Sequence, residues 1–505
     1  MHHSPHQCRR KSGEMALHLL SLPEELVLRI VQCSAEAEHV EDGQGSLTCG
    51  FAKRSLRALQ GLRLSCRTLC HIATPVLFER VGLYPCQDSR KRYLQVLEND
   101  TLRKYVHDVH INTIEEDEEA DWTQEELPIS KRFMHGLRRV HEFPHLKAVT
   151  LRFSPNCSSY NIYHSWPQSS NLREPILQGF FATVAKTTIT DLSLLNLQNI
   201  NDQMLLRSAA FHKVMNRPAS LTLQICTEED QAAPEHSIEY QALHTFFPAL
   251  PRTWLAPAAA TLTHLALYSD CYIGWCPSLD LTSLDLPRMT SLALGRYTFT
   301  SSAPLAWLAR HASTLTHLTL HDCPILVYRV VASPLRLLPN SDSATVPPRV
   351  GGTGRGRPPP HALQYTELRW SEVFARLGEA LPRLRVVRVS SERWRRESLA
   401  AAREGVENLR CELSAGRYAW YCSGYRKSHG MWMGATLGGA HDGRDAPEGK
   451  RWMQFAGRCG VEMDGEQDVE DVEALRKLMV RIGMRREGFK PVMCQNAGGK
   501  TCVRF

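Results

Sequence analysis

Seven times between residues 106 and 389 the chain repeats the pattern L-x-x-L-x-L, with Val, Ile or Met standing for Leu. The copies are Val106-x-x-Val109-x-Ile111, Leu146-x-x-Val149-x-Leu151, Ile189-x-x-Leu192-x-Leu194, Leu262-x-x-Leu265-x-Leu267, Met289-x-x-Leu292-x-Leu294, Leu315-x-x-Leu318-x-Leu320 and Leu384-x-x-Val387-x-Val389. A weaker copy is Leu221-Thr-Leu223. The alternation that ends each copy is the period of a short strand with one buried face. Helix-forming segments, such as Ile176 to Ala185 and Ala303 to His311, lie between several copies. Internal self-similarity of this kind is the signature of a solenoid, so the chain is expected to be α/β and built from repeated units.

The copies resemble the leucine-rich repeat. The best is LTHLTLHDC, Leu315 to Cys323, in which Cys323 takes the turn position of L-x-x-L-x-L-x-x-N/C. LTHLALYSDC, Leu262 to Cys271, carries one extra residue before its Cys. Middle copies are spaced by 26 to 29 residues, within the leucine-rich range, and others by 40 or more, which calls for insertions or irregular repeats. The resemblance implies that the turn side chain satisfies backbone groups as the chain leaves the strand. It also implies an exposed concave face made by alternate strand residues. Those are His264, Ala266 and Tyr268; Ser291, Ala293 and Gly295; His317, Thr319 and His321; and Arg388 and Ser390. Such a surface suits a protein target, and His264, Tyr268, His317, His321 and Arg388 are the candidate contacts. A generic α/β protein with Leu-rich strands is the competing reading.

A second constraint lies near the N-terminus, from Leu22 to Val81. Ser21 and Glu24 have the S-x-x-E spacing of a capping box, and Pro23 sits in the first turn, where its missing N–H costs nothing. Leu22, Leu26 and Ile30 share one helical face, with Val27 and Val31 beside them. Leu59, Leu62, Cys66 and Leu69 repeat that spacing, and Pro75 is expected to break the chain into a third short helix. Three short helices are marginal alone and must pack on the rest of the chain, on a partner, or on both.

This segment resembles an F-box. The matching pieces are L-P-x-E-L at Leu22, Pro23, Glu25 and Leu26, then Ile30-Val31, then L-x-x-L-x-x-S-C-R-x-L from Leu59 to Leu69. An insertion from about Ala35 to Arg54 replaces what is normally a short loop, and Ser65 stands where the family usually has Val. The resemblance implies docking onto the Skp adaptor, and through it a cullin, by Leu22, Pro23, Leu26, Ile30, Leu62, Cys66 and Leu69. It implies a substrate-recruiting ligase subunit with no chemistry of its own.

Composition narrows the rest. Hydrophobic residues are 43% of 505, enough for a sizeable core, and the net charge of +7 is too mild to argue for nucleic acid. Sixteen cysteines without a C-x-x-C pair read as reduced thiols, many as small hydrophobes. No apolar run approaches the roughly 20 residues needed to span a bilayer, and the apolar piece Met15 to Leu22 merges into the first helix rather than forming a signal peptide. The expected location is the cytoplasm or nucleus, with no membrane partner. No G-x-S-x-G, H-E-x-x-H or dinucleotide fingerprint occurs, and no catalytic residue, cofactor or metal is expected. His2, His3 and His6 read as a solvated tail rather than a metal site.

The expected layout is a loose tail (1–15), an F-box (16–84) with its insertion at 35–54, a leucine-rich-repeat-like region (85–415), a capping subdomain (416–489) and a tail (490–505). The acidic run Glu115 to Asp121 reads as a solvated loop, and the Pro/Gly-rich stretch 339–361 as a linker. Its glycines lead into Arg357 and prolines, which rules out a Walker loop. Tyr365 to Ala380 reads as a helix. Tyr418, Trp420, Tyr421, Tyr425, Trp432, Trp452 and Phe455 read as the small core of a cap. Asp468 to Ile482 reads as a helix with the stripe Val472, Leu475, Met479 and Ile482, acidic at its start and closed by Gly483. Two alternatives stay open: a repeat scaffold outside any ligase, and a nucleic-acid binder using the basic aromatic region around Arg426, Lys427 and Arg451.

Overall fold

The computed structural model describes residues 22–35, 53–114, 131–157, 168–228, 240–331, 362–390, 411–414, 417–425, 428–433, 465–485, 490–495 and 501–504. Ser21, most of the 35–54 insertion, the acidic run 115–121 and the stretch 339–361 lie outside the described residues, as do Trp452, Phe455 and the two tails apart from short segments at 490–495 and 501–504.

Three helices come first: α1 (Glu24–Ala35), α2 (Lys53–Ser65) and α3 (Arg67–Phe78). Then follow β1 (Arg80–Leu83), α4 (Gln87–Glu98), α5 (Asp100–Arg103), β2 (Asp108–Asn112), α6 (Lys131–Arg138), β3 (Ala148–Arg152) and α7 (Ser170–Val184). The middle of the chain gives β4 (Asp191–Gln198), α8 (Gln203–Leu206), α9 (Ala209–Met215), β5 (Ser220–Cys226), α10 (Gln241–Leu250), β6 (His264–Ile273), β7 (Ser291–Tyr297), α11 (Ala303–Ala309) and β8 (His317–His321). The last part gives β9 (Ile325–Val331), β10 (Ala362–Tyr365), α12 (Trp370–Ala380), β11 (Val386–Ser390), β12 (Glu412–Ser414), β13 (Tyr418–Tyr425), β14 (Ser428–Met433), α13 (Gly465–Arg481), β15 (Val492–Gln495) and β16 (Thr501–Arg504).

The protein is α/β, with a nine-stranded, all-parallel sheet in the order β1-β2-β3-β4-β5-β6-β7-β8-β11 and helices interleaved between the strands. Strand order follows chain order, and all seven full copies of the motif, with the weak one, lie on strands of this sheet. The chain packs as two compact units, one holding the described residues up to Arg152 together with Gly179–Ile189, the other holding Phe153–Gln178 and Thr190 onward.

In the second unit the repeats stand in register. Leu192, Leu221, Leu265, Leu292, Leu318 and Val387 are direct neighbours across six strands. Leu194, Leu223, Leu267, Leu294, Leu320 and Val389 form the next row, and none of these twelve side chains is more than 7% exposed. A period of two puts every such residue on one face, so the motif is the sheet's buried layer written out. In the first unit Val81, Val109 and Val149 pair likewise, and Leu83, Tyr93, Phe133, Leu137 and Phe143 fill the core.

Two expectations are corrected. Pro75 sits inside α3, and the break falls at Cys66 instead, where the backbone is extended (φ −159°) and Sγ accepts from the Leu69 N–H. The bond that Pro75 forfeits is to the carbonyl of His71, an exposed residue. The helix expected from Tyr365 starts at Trp370, because Ala362–Tyr365 pairs antiparallel with β9. Asp471 in turn accepts from the Ser371 N–H at 2.7 Å, in the first turn of α12. The four-stranded sheet β10-β9-β13-β14 and the three-stranded sheet β12-β16-β15 had no counterpart in the sequence reading. By contrast, α13 ends on Gly483 at φ +78°, with Met484 N–H bonded to the Met479 carbonyl, the left-handed close that a glycine permits.

Candidate interaction surfaces

The N-terminal helices pack around Val27, Val31, Leu59, Leu69, Ile72, Ala73, Val76 and Leu77. Arg63 fixes α2 on α3 by donating from Nε to Thr74 Oγ1 at 3.2 Å, with its guanidinium 5.2 Å from the Phe78 ring centre. Since Val27 and Val31 take the inward positions, the opposite side of α1 is left outside. Leu22, Leu26 and Ile30 are 39%, 52% and 42% exposed, and Pro23 is exposed beside them. Of the other candidate adaptor contacts, Leu62 and Cys66 are half-buried against the core, while Leu69 belongs to the core itself. Leu28, Leu56 and Leu64 are also exposed, and sequence reasoning did not single them out. For Leu64 the signal was present in LRALQGLRLS, where Leu59 and Leu62 take the inner stripe and leave Leu64 off it.

On the sheet, the face opposite the leucine rows is partly closed. His264 and His317 are exposed and Arg388 is half-buried, as a contact surface requires. Tyr268 and His321 are only 1% and 2% exposed, so the expectation of an open face fails there. The cause is Gly295, the in-register neighbour of both: a Cβ on it would fall inside the Tyr268 ring. With no side chain between them, Tyr268 lies over that gap, 6.0 Å from the His321 ring, and Ala293 packs against it. His321 pairs through Nδ1 with Ser390 Oγ at 2.6 Å, and burial, helped by nearby Arg296, pushes its pKa down to about 4. The imidazole is therefore neutral at physiological pH. Burial, then Arg388, His264 and Arg385, hold His317 below the ordinary value as well.

The strand ends carry a recurring device. Asn196, Arg296 and Asp322 adopt left-handed backbone (φ 56°, 53° and 51°), each two residues past the last leucine of its copy. Asn and Asp tolerate that region, and Arg296 is held there by an ion pair from Nε to Asp322 Oδ2 at 3.2 Å. Tyr272 O–H donates to the same oxygen at 3.0 Å. One residue further on, Cys323 Sγ donates to the Leu294 carbonyl at 3.3 Å, and Cys226 Sγ to the Asn196 carbonyl at 3.1 Å. Both cysteines satisfy backbone groups where the strand ends. In the copy with the extra residue, Asp270 takes that place and accepts from Thr227 N–H and Oγ1 at 2.8 and 2.9 Å.

A threonine ladder enters the same strands from the other end. Thr263 Oγ1 donates to the Ala219 carbonyl at 2.8 Å, Thr290 Oγ1 to the Thr263 carbonyl at 3.1 Å, and Thr316 Oγ1 to the Thr290 carbonyl at 3.0 Å. The sequence signal was the Thr that follows the first apolar residue in LTHL, MTSL and LTHL.

Toward the C-terminus, Asp471 is 1% exposed and accepts from Arg417 Nε at 2.8 Å and Tyr418 O–H at 2.9 Å. This carboxylate is a buried tie between α12, α13 and β13, not a surface acid. Side chains of Trp420, Tyr421, Tyr425 and Trp432, together with Arg426, Lys427 and Arg451, lie outside the described residues. Among the described residues no three His, Cys, Asp or Glu side chains meet as a metal site, and no helix is long and apolar enough to cross a membrane. No protein-family model and no curated protein matches this sequence.

Proposed function

We propose that this chain is the target-recruiting subunit of a Skp–cullin–F-box ubiquitin ligase. In this reading α1 to α3 are the F-box, and the parallel sheet with its helices is an irregular leucine-rich-repeat solenoid. One observation carries it: Val27 and Val31 fill the helical core while Leu22, Leu26 and Ile30, the residues that the F-box resemblance assigns to the adaptor, stay outside. Apolar side chains clustered at the surface mark an interaction site. Burying the exposed half of three such side chains contributes about 3 kcal/mol to an interface. Pro23 sits at the rim, and Leu62 and Cys66 supply the margin where the adaptor meets the bundle.

The chain does no chemistry in this reading. It holds a protein target beside the ligase, and the gain is effective concentration. His264, His317 and Arg388 are the accessible target contacts, on the same sheet face as the buried Tyr268 and His321. Such a subunit works in the cytoplasm or nucleus.

The test is co-expression with the Skp adaptor. Stable co-purification is expected, and it is lost in a Leu26→Asp, Ile30→Asp variant whose circular dichroism matches the parent. A folded parent chain that fails to hold the adaptor overturns the ligase reading and leaves a repeat scaffold.

A further inference from the structure

Cys157 and Cys226 bring their sulfurs to 3.2 Å although 69 residues separate them. Cys226 ends β5, Cys157 follows β3, and they are 2% and 4% exposed. Beside them lies Arg173, itself 2% exposed. Its Nε donates to the Gln168 carbonyl at 2.6 Å, and its Nη2 to the Ser154 and Asn156 carbonyls at 2.7 and 3.1 Å. Its Nη1 donates to the Asn196 carbonyl at 2.6 Å and to Cys226 Sγ at 3.4 Å. All five N–H groups are used, so this guanidinium has none left for a ligand. Among the described residues no carboxylate pairs with it, and its charge acts on the sulfur it touches.

The two thiols are unequal. Burial, and to a smaller extent the Asp270 carboxylate, push the Cys226 thiol up, but the Cys157 hydrogen bond and Arg173 outweigh them, and the net direction is down. Cys157 is held well above the ordinary thiol range by its hydrogen bond to Cys226 and by burial. At rest the Cys226 S–H donates to the Asn196 carbonyl; when the pair loses a proton the charge settles on Cys226, beside Arg173, with Cys157 S–H donating to it. The Asn196 carbonyl, 3.1 Å from Cys226 Sγ, opposes the anion, and Arg173 Nη1 on that same carbonyl offsets it.

We infer that Cys157 and Cys226 form a reversible disulfide, made by a hydroperoxide and undone by a dithiol reductant. The Cys226 thiolate attacks the O–O bond, which breaks. Cys226 becomes a sulfenic acid, and the alkoxide leaves and takes a proton from solvent. The Cys157 sulfur then attacks the Cys226 sulfur, the S–O bond breaks, and hydroxide leaves with the Cys157 proton as water. Two electrons pass from the thiols to the peroxide oxygens, and the products are a disulfide, an alcohol and water. Closing the sulfurs to a bonded distance of about 2.05 Å requires a movement of about 1 Å, within reach of side-chain rotation. This site is independent of the ligase reading.

The experiment treats the reduced, folded full-length chain with hydrogen peroxide, blocks the remaining thiols, and maps peptides by mass spectrometry without reduction. The expected result is a peptide pair joining Cys157 to Cys226, released by dithiothreitol, at a dose that oxidises the exposed Cys33. In a Cys157→Ser variant the sulfenic acid has no partner, and dimedone labels Cys226. In Cys226→Ser, Cys157 stays unlabelled. Serine is close to cysteine in size, and circular dichroism confirms that each variant is folded. Oxidation of Cys33 with no joined pair overturns the proposal. So does a joined pair that forms only in urea, or equal dimedone labelling of the two single variants.

Discussion

Leu294 in β7 and Leu26 in α1 are the same side chain, 2% and 52% exposed. Leu294 has an apolar neighbour in register on each side, Leu267 and Leu320, and is already buried within its own unit. Even the opposite face of that sheet covers part of itself, with Tyr268 lying over Gly295. The three N-terminal helices fill their small core with Val27 and Val31 and leave the rest out. Six of the nine large hydrophobic side chains exposed among the described residues are Leu22, Leu26, Leu28, Ile30, Leu56 and Leu64. One region buries its leucines, and the other leaves an apolar face at the surface. The difference separates leucines that hold the fold from leucines that do not, and composition alone cannot do that.

The sharpest way to break this comparison is to truncate both. Leu294→Ala is expected to cost about 2–5 kcal/mol, because a row of close neighbours cannot collapse into the cavity. Leu26→Ala is expected to change stability by less than about 0.5 kcal/mol. Urea denaturation midpoints of the full-length chain measure both. A Leu26→Ala loss as large as that of Leu294→Ala would mean that the exposed face already serves folding, and the adaptor reading would lose its support.

A pH series sharpens the other side, the claim that the sheet covers its own face. His321 has its pKa pushed down to about 4, from an ordinary 6.5, by burial and then by Arg296. The unfolded chain binds this proton near 6.5 and the folded chain only near 4. The contribution is therefore fully present above about pH 6.5 and is lost as pH falls toward 4, by an amount on the order of 3 kcal/mol. In His321→Gln the stability profile between those values is expected to be flatter than in the parent by that amount. Parallel profiles would show that water reaches the imidazole and that the face is open.

Much of this was legible in advance, for a physical reason. Leucines spaced for a strand's buried face specify each strand, and all seven copies lie on the sheet. The capping glycine of α13 was legible because it acts within a few residues of its own position, and the turn cysteine Cys323 because the repeat fixes its place, although the carbonyl it meets belongs to Leu294 on the previous strand. What escaped depends on distant partners. Burial of Tyr268 and His321 follows from a missing side chain on the next strand, Gly295. The strand Ala362–Tyr365 exists because β9 offers it an edge. Pro75 stays inside α3 because its cost depends on the burial around it, which local sequence does not state. For the exposed face of α1, spacing put Leu22, Leu26 and Ile30 on one side, but that Val27 and Val31 would win the core is a packing result.

The smallest expected effect tests whether the sheet's self-sufficiency reaches its polar edge. Thr290 sends both its N–H and its Oγ1–H to the Thr263 carbonyl, at 2.8 and 3.1 Å. Its own carbonyl receives the same pair from Thr316. Thr290→Val keeps shape, strand preference and the N–H bond, and removes only the hydroxyl. The expected cost is about 1 kcal/mol, the net worth of one hydrogen bond, because Thr290 is half-buried and water replaces the lost donor only in part. Ser291→Ala, its half-exposed neighbour, is the control for an ordinary edge substitution. Matched midpoints for the two variants would mean that threonine stands there for its β-branched shape alone. A loss confined to Thr290→Val would mean that each repeat is fastened to the one before it by a side chain as well as by the backbone.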